Sequence, residues 1–149
     1  MTTIRKATLA DVPEIVRMSA AFYPTTHYAQ WCEMDEQTVA ALATSLIDSH
    51  VFYVAEDGAA LVGMVGIFVA PFMFNASVSF GVEVVWWVAP EARGSRVAAS
   101  LLNAIERPLK DAGCDRIQMV HMPNSPPQAA ALYERMGYAR SEISYTKDI

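Results

Sequence analysis

From Gly58 to Val82 the chain runs GAALVGMVGIFVAPFMFNASVSFGV without one charged side chain. A stretch of that kind has to leave water, either into a bilayer or into a protein core. Its strongly apolar part, Ala59 to Phe74, falls short of the ~18–20 residues that a membrane-spanning helix needs. Gly63, Gly66 and Pro71 interrupt it, and Asn75, Ser77 and Ser79 follow. The reading is therefore buried β-strand followed by loop, which requires other elements to cover it. A chain of 149 residues suffices for one domain with one sizeable core. At 53% apolar and 18% charged residues, disordered and fibrous classes are excluded.

Charge and special residues narrow the function classes. A net charge of −5 argues against nucleic-acid backbone binding, which needs a basic surface. Cys32 and Cys114 lie far apart with no CxxC, and read as unpaired thiols in a reducing cytoplasm. His27, His50 and His121 are scattered, so no dedicated metal site is expected. The start MTTIRKATLADV has no apolar signal core, so no export is implied.

Periodicity supplies the elements. TIRKAT reads as a short strand, and TLADVPEIVRMSAAF as a helix with capping-box spacing at Thr8 and Asp11. Its expected apolar stripe is Val12, Ile15, Val16 and Ala20. DEQTVAALATSLIDS is a second amphipathic helix, acidic at its N-terminus. VFYVAE and ALVGMVGIFVA flank Asp57-Gly58, a hairpin signal. VEVVWWVA is another strand. SRVAASLLNAIERPLKDAG is a helix with a stripe of Val97, Ala98, Leu101, Leu102, Ile105 and Leu109, Gly113 beyond its end and Pro108 expected to kink or weaken its last turns. DRIQMVHM is a fifth strand, PPQAAALYERMG a helix ended by Gly137, and YARSEISYTKD a final strand. The order βααβββαβαβ spans residues 1–149 as one α/β domain on a mixed sheet.

The junction VVWWVAPEARGSRVAASLL joins an apolar strand to a helix through a turn holding Pro90, Arg93, Gly94, Ser95 and Arg96. A helix start leaves its first N–H groups unpaired, and these, with the helix dipole, attract anions. Arg93 and Arg96 add full charges suited to phosphate oxygens, and Gly94 permits close backbone approach. The alternative is two solvated arginines on an ordinary turn. Neither GxGxxG nor GxxxxGK[ST] is present.

The same stretch resembles the acetyl-CoA-binding motif of the GCN5-related N-acetyltransferase (GNAT) superfamily, in which a strand and V-x-P precede R-G-x-G-x-G/A at a helix start. Val88, Pro90, Arg93, Gly94 and Ala98 match, and Arg96 stands where the family usually has its second glycine. IRKATLADVPEIV, VAEDGAALVGMVGI and AAALYERMGY are similar to further family segments in the right order. The resemblance implies a central sheet with two splayed strands flanked by helices, and acetyl-CoA as co-substrate. It implies an N-acetyltransferase whose acceptor is a primary amine of a small molecule or a protein. It gives a cofactor set of Trp86, Trp87 and Val88 on the strand, Arg93, Gly94, Ser95, Arg96, Val97 and Ala98 in the turn, and Asn124. The family often has Asn just before A-x-x-L-Y, where Pro126 and Pro127 stand here, with Asn124 earlier.

Tyr133 matches the family's tyrosine that donates to the leaving sulfur; the alternative is a core tyrosine. Glu83 is the only carboxylate on its strand and reads either as a general base or as a side chain turned away to pair with an arginine, since a one-residue shift reverses the face. Many relatives use a water relay instead. The resemblance places the acceptor between two aromatic-rich segments, with Tyr23, His27, Tyr28 and Trp31 in the first, and Phe72, Phe74 and Phe80 in the second, a lining suited to a small or partly apolar amine. A catalytically silent acyl-CoA-binding or interaction module is the competing class, and the high apolar content leaves room for a homodimer interface.

Overall fold

The computed structural model describes all 149 residues. Five strands form one sheet in the order β1 (Thr2–Lys6), β2 (Val51–Asp57), β3 (Ala60–Phe72), β4 (Asn75–Val88) and β5 (Cys114–Gln118). The first four pair antiparallel and β5 joins β4 in parallel. Helices α1 (Val12–Phe22) and α2 (Glu36–Ser49) cover one face, while α3 (Val97–Asp111) covers the other; α4 (Pro127–Arg135) follows β5. The charge-free stretch is buried from Leu61 to Ile67, with side chains feeding both faces. A Cβ at Gly63 would stand 3.1 Å from Leu101 of α3, whereas one at Gly66 would meet Leu46 of α2 and the Phe52 ring at 2.9 Å. Both layers thus close onto β3 where it lacks side chains.

Local chemistry sets the element ends. Asp11 accepts the Thr8 N–H at 2.7 Å and also holds Arg5 through two bonds of 2.8 and 2.9 Å, joining β1 to the start of α1. Asp35 caps α2 by accepting the Thr38 N–H at 2.9 Å. In α1 the buried residues are Ile15 and Met18, so Met18 takes the place expected for Ala20, which is exposed. Helix α3 runs on through Pro108 to Asp111 and buries Val97, Leu101, Leu102, Ile105 and Leu109 as its spacing predicts.

Two expectations fail. Residues 71–80 are not a loop: β3 and β4 continue as one long hairpin, turning at Met73-Phe74, because β-branched and aromatic residues carry the ladder to its tip. YARSEISYTKD forms no strand. Residues 139–149 are exposed throughout, since Ile143 and Tyr145 find no apolar surface and the alternating charges favour water, so the order ends at α4 as βααβββαβα. Cys32 and Cys114 are free thiols. No helix is long and apolar enough to cross a membrane.

Candidate active site

Strand β4 carries one residue too many for its partner. Gly66 faces Val85 but Ile67 faces Glu83, which leaves Val84 as a bulge. On the opposite edge, pairing with β5 stops at Val82 and Gln118, so the two strands part at that level. Beyond this point β4 pairs with a strand on the β3 side only. Ala89 donates to Val62 across that ladder at 2.8 Å, and alternation makes Val85 and Trp87 the other residues bonded to β3. The N–H groups of Trp86 and Val88 therefore face the opening. Trp87, expected to serve a ligand with its backbone, spends it on Met64 instead. The Val88 carbonyl is also taken, by the Arg93 Nε at 2.9 Å.

The turn after β4 is a cradle of unpaired donors. Gly94 sits at φ +80, a left-handed conformation that a glycine adopts without strain. The N–H groups of Gly94, Ser95, Arg96, Ala98 and Ala99 have no intramolecular acceptor. Two expected members are committed elsewhere. Val97 is buried in the core, and its N–H goes to Ser95 Oγ at 3.3 Å, while the same hydroxyl donates to the Ala92 carbonyl. Arg96 has φ −80 and ψ −2, an ordinary right-handed conformation, so an arginine occupies the family's glycine position without strain. Its guanidinium is exposed and has no acidic partner, and the Arg93 guanidinium likewise lies outside every ion pair. Free N–H groups with two cations suit the phosphate oxygens of a nucleotide-bearing ligand such as coenzyme A.

Glu83 and Tyr133 are both held by the backbone of Val120. The Val120 N–H donates to the Glu83 carboxylate at 2.6 Å, and the Val120 carbonyl accepts from the Tyr133 hydroxyl at 3.0 Å. Glu83 pairs with no arginine, so that reading is set aside. Burial pushes its carboxyl up to about 7, the Val120 N–H and the Tyr133 hydroxyl holding it below what burial alone would give. Tyr133 is buried, with its ring 5.1 Å from Trp86 and 5.5 Å from Tyr138. Burial first, and then the Glu83 charge, raise its phenol far above the usual tyrosine value. Tyr133 therefore keeps its proton at neutral pH and has a hydroxyl hydrogen to donate. Sequence reasoning missed Val120, since its role is carried entirely by backbone.

Asn124 makes its side-chain bond to a different segment. Its Nδ2 donates to the Thr25 carbonyl at 2.6 Å, because Pro126 and Pro127 open α4 and leave Asn124 in the preceding turn. The aromatic residues split into two sets. His27 lies 4.2 Å from Tyr28 and 5.1 Å from Trp31, in short 3-10 turns between α1 and α2, where the Tyr23 hydroxyl bonds the Tyr28 carbonyl at 2.9 Å and the Cys32 carbonyl at 2.5 Å. Phe72 stacks on Phe80 at 5.0 Å and meets Phe74 at 5.6 Å on the long hairpin. No ring of one set packs on a ring of the other, and Phe74 is 83% exposed.

Comparison with known proteins gives one family. The model of the Acetyltransferase (GNAT) family matches residues 12–138. Among solved structures, a transcriptional regulator from Bacillus halodurans C-125 superposes with a TM-score of 0.79 at 20% identity, covering 100% of both chains. A predicted acetyltransferase with acetyl-CoA from Clostridium acetobutylicum gives 0.76 at 16% identity, covering 99% of this chain and 96% of that one. A ribosomal-protein-alanine N-acetyltransferase from Brucella melitensis biovar Abortus 2308 gives 0.75 at 21%, covering 99% of each.

Proposed function

Because this chain belongs to the acetyltransferase (GNAT) family, we propose that it transfers an acetyl group from acetyl-CoA directly to a primary amine. The observation that carries the proposal is that Glu83 and Tyr133 are held by the N–H and the carbonyl of Val120, at the level where β4 and β5 separate. A carboxyl titrating near 7 is a base matched to neutral pH. The free N–H groups of Gly94 to Ala99 and the guanidinium groups of Arg93 and Arg96 fit the pyrophosphate of the co-substrate, whose thioester supplies the acetyl group. The unpaired N–H of Trp86 or Val88 offers a donor to the thioester carbonyl oxygen.

In this reading the amine nitrogen forms a bond to the carbonyl carbon while the carbon–sulfur bond breaks. Glu83 accepts the proton that the nitrogen loses. Tyr133 turns its hydroxyl from Val120 and donates a hydrogen bond to the departing sulfur, which takes the electron pair of the broken bond as a thiolate and, with an ordinary thiol pKa of ~8.5, is protonated by water on release. The His27, Tyr28 and Trp31 cluster supports a small or partly apolar amine as acceptor.

The experiment is release of free coenzyme A from acetyl-CoA with 2-phenylethylamine, spermidine and an alanine-terminated peptide, alongside thermal unfolding with saturating acetyl-CoA. A rise in melting temperature with turnover on at least one amine is expected. A rise without turnover would favour a silent binding module, and neither effect would remove the proposal.

A further inference from the structure

The segment between α1 and α2 is stitched to itself. Tyr23 bonds the carbonyls of Tyr28 and Cys32, Thr26 Oγ1 donates to the Tyr23 carbonyl at 2.8 Å, Thr25 Oγ1 donates to Phe22, and three rings pack together. The segment before α4 is likewise preformed: Ser125 N–H donates to the Met122 carbonyl and the Met122 N–H to Ser125 Oγ, both at 3.0 Å. Between these two rigid turns runs one hydrogen bond, from Asn124 Nδ2 to the Thr25 carbonyl, joining residues 99 apart in sequence. It is the only hydrogen bond by which residues 23–32 reach any element outside their own segment and the end of α1.

On one side of that bond lies the turn bearing His27 and Trp31. On the other lies the connection that contains Val120, the residue holding both Glu83 and Tyr133. We infer that Asn124 is a positioning residue, a latch that fixes the aromatic turn relative to the Glu83–Tyr133 pair and so determines how an acceptor amine is held. The inference rests on the proposed transfer for its functional consequence, and on the hydrogen bond alone for its mechanical one. The donor is specific: an amide N–H can bond a carbonyl, whereas a carboxylate of the same shape cannot. Because the bonded amides of the aromatic turn are satisfied within it, they exchange only when the turn opens, and breaking the latch lowers the cost of that opening.

The test uses the full chain with Asn124→Ala and the isosteric Asn124→Asp. Amide hydrogen exchange, which needs no acceptor, should quicken about five- to tenfold for residues 23–32, as expected for losing one hydrogen bond. Amides of β2 to β4 should be unchanged. With 2-phenylethylamine as the probe, KM for the amine should rise by a similar factor, with kcat changed little and acetyl-CoA affinity within about twofold. Unchanged exchange at residues 23–32 in both variants would overturn the latch. A uniform rise across the sheet would make Asn124 a support of the fold only. A loss of acetyl-CoA affinity without faster exchange would return it to the co-substrate site. If no amine turns over in the unaltered protein, the transfer proposal fails while the exchange result still decides the latch.

Discussion

Glu83→Gln separates catalysis from stability in opposite directions. The glutamine keeps the shape and an oxygen that accepts the Val120 N–H, so the 2.6 Å bond has a replacement. What disappears is a titratable group whose carboxyl burial has moved from 4.5 to about 7. A raised carboxyl means the folded state holds its proton where the unfolded chain has lost it. Folding stability is thus fully present below pH 4.5 and declines as pH rises toward and through 7. At 1.36 kcal/mol per pH unit the full difference is roughly 3 kcal/mol, and the residue's remaining exposure brings this to an order of 1–3 kcal/mol. At pH 8 the variant should therefore unfold at higher denaturant than the wild type, with the advantage gone at pH 4. Its kcat for acetyl transfer should fall by ~10²–10⁴-fold, and the bend near pH 7 in the wild-type kcat profile should vanish. The assays are urea unfolding at the two pH values and coenzyme A release from pH 5.5 to 8.5. A variant that keeps both its rate and the bend would refute the base assignment. One that is less stable than wild type at pH 8 would refute the burial argument behind it.

Tyr133→Phe removes a hydroxyl bonded to the Val120 carbonyl at 3.0 Å while keeping the ring against Trp86, so stability should drop by about 1 kcal/mol and the transfer rate by ~10²-fold or more, with acetyl-CoA affinity unchanged by calorimetry. Gly94→Val meets no atom within 4 Å but must adopt φ +80, so it should cost on the order of 1–3 kcal/mol in thermal stability and abolish acetyl-CoA binding; retained binding would clear the turn of that role. Asp11 is pushed down to about 2 from 3.8 by its hydrogen bonds to Arg5, so its contribution is present above pH 3.8 and lost as pH falls toward 2; Asp11→Asn should lower stability at pH 7 by on the order of 1–2 kcal/mol and flatten the acid limb of unfolding.

The sequence by itself determined the existence of five strands, the hairpin at Asp57-Gly58, the strand–turn–helix cradle and the placing of Tyr133 on a late helix, because alternation, caps and turn residues act over a few neighbouring positions. Arg93 and Gly94 were legible for the same reason. Tertiary structure alone decided which peptide groups remain free. The bulge at Val84 sets Glu83 out of register with β3, and the strand alternation that follows turns Trp86 and Val88 toward the opening while committing Trp87 to Met64. It also decided that Glu83 is pushed up to about 7, since that value comes from burial and from a backbone donor 37 residues away. Asn124 shows the limit most plainly. Its neighbours in the chain suggested the co-substrate, but an amide bonds whatever carbonyl the fold brings to it, and here the fold brings Thr25.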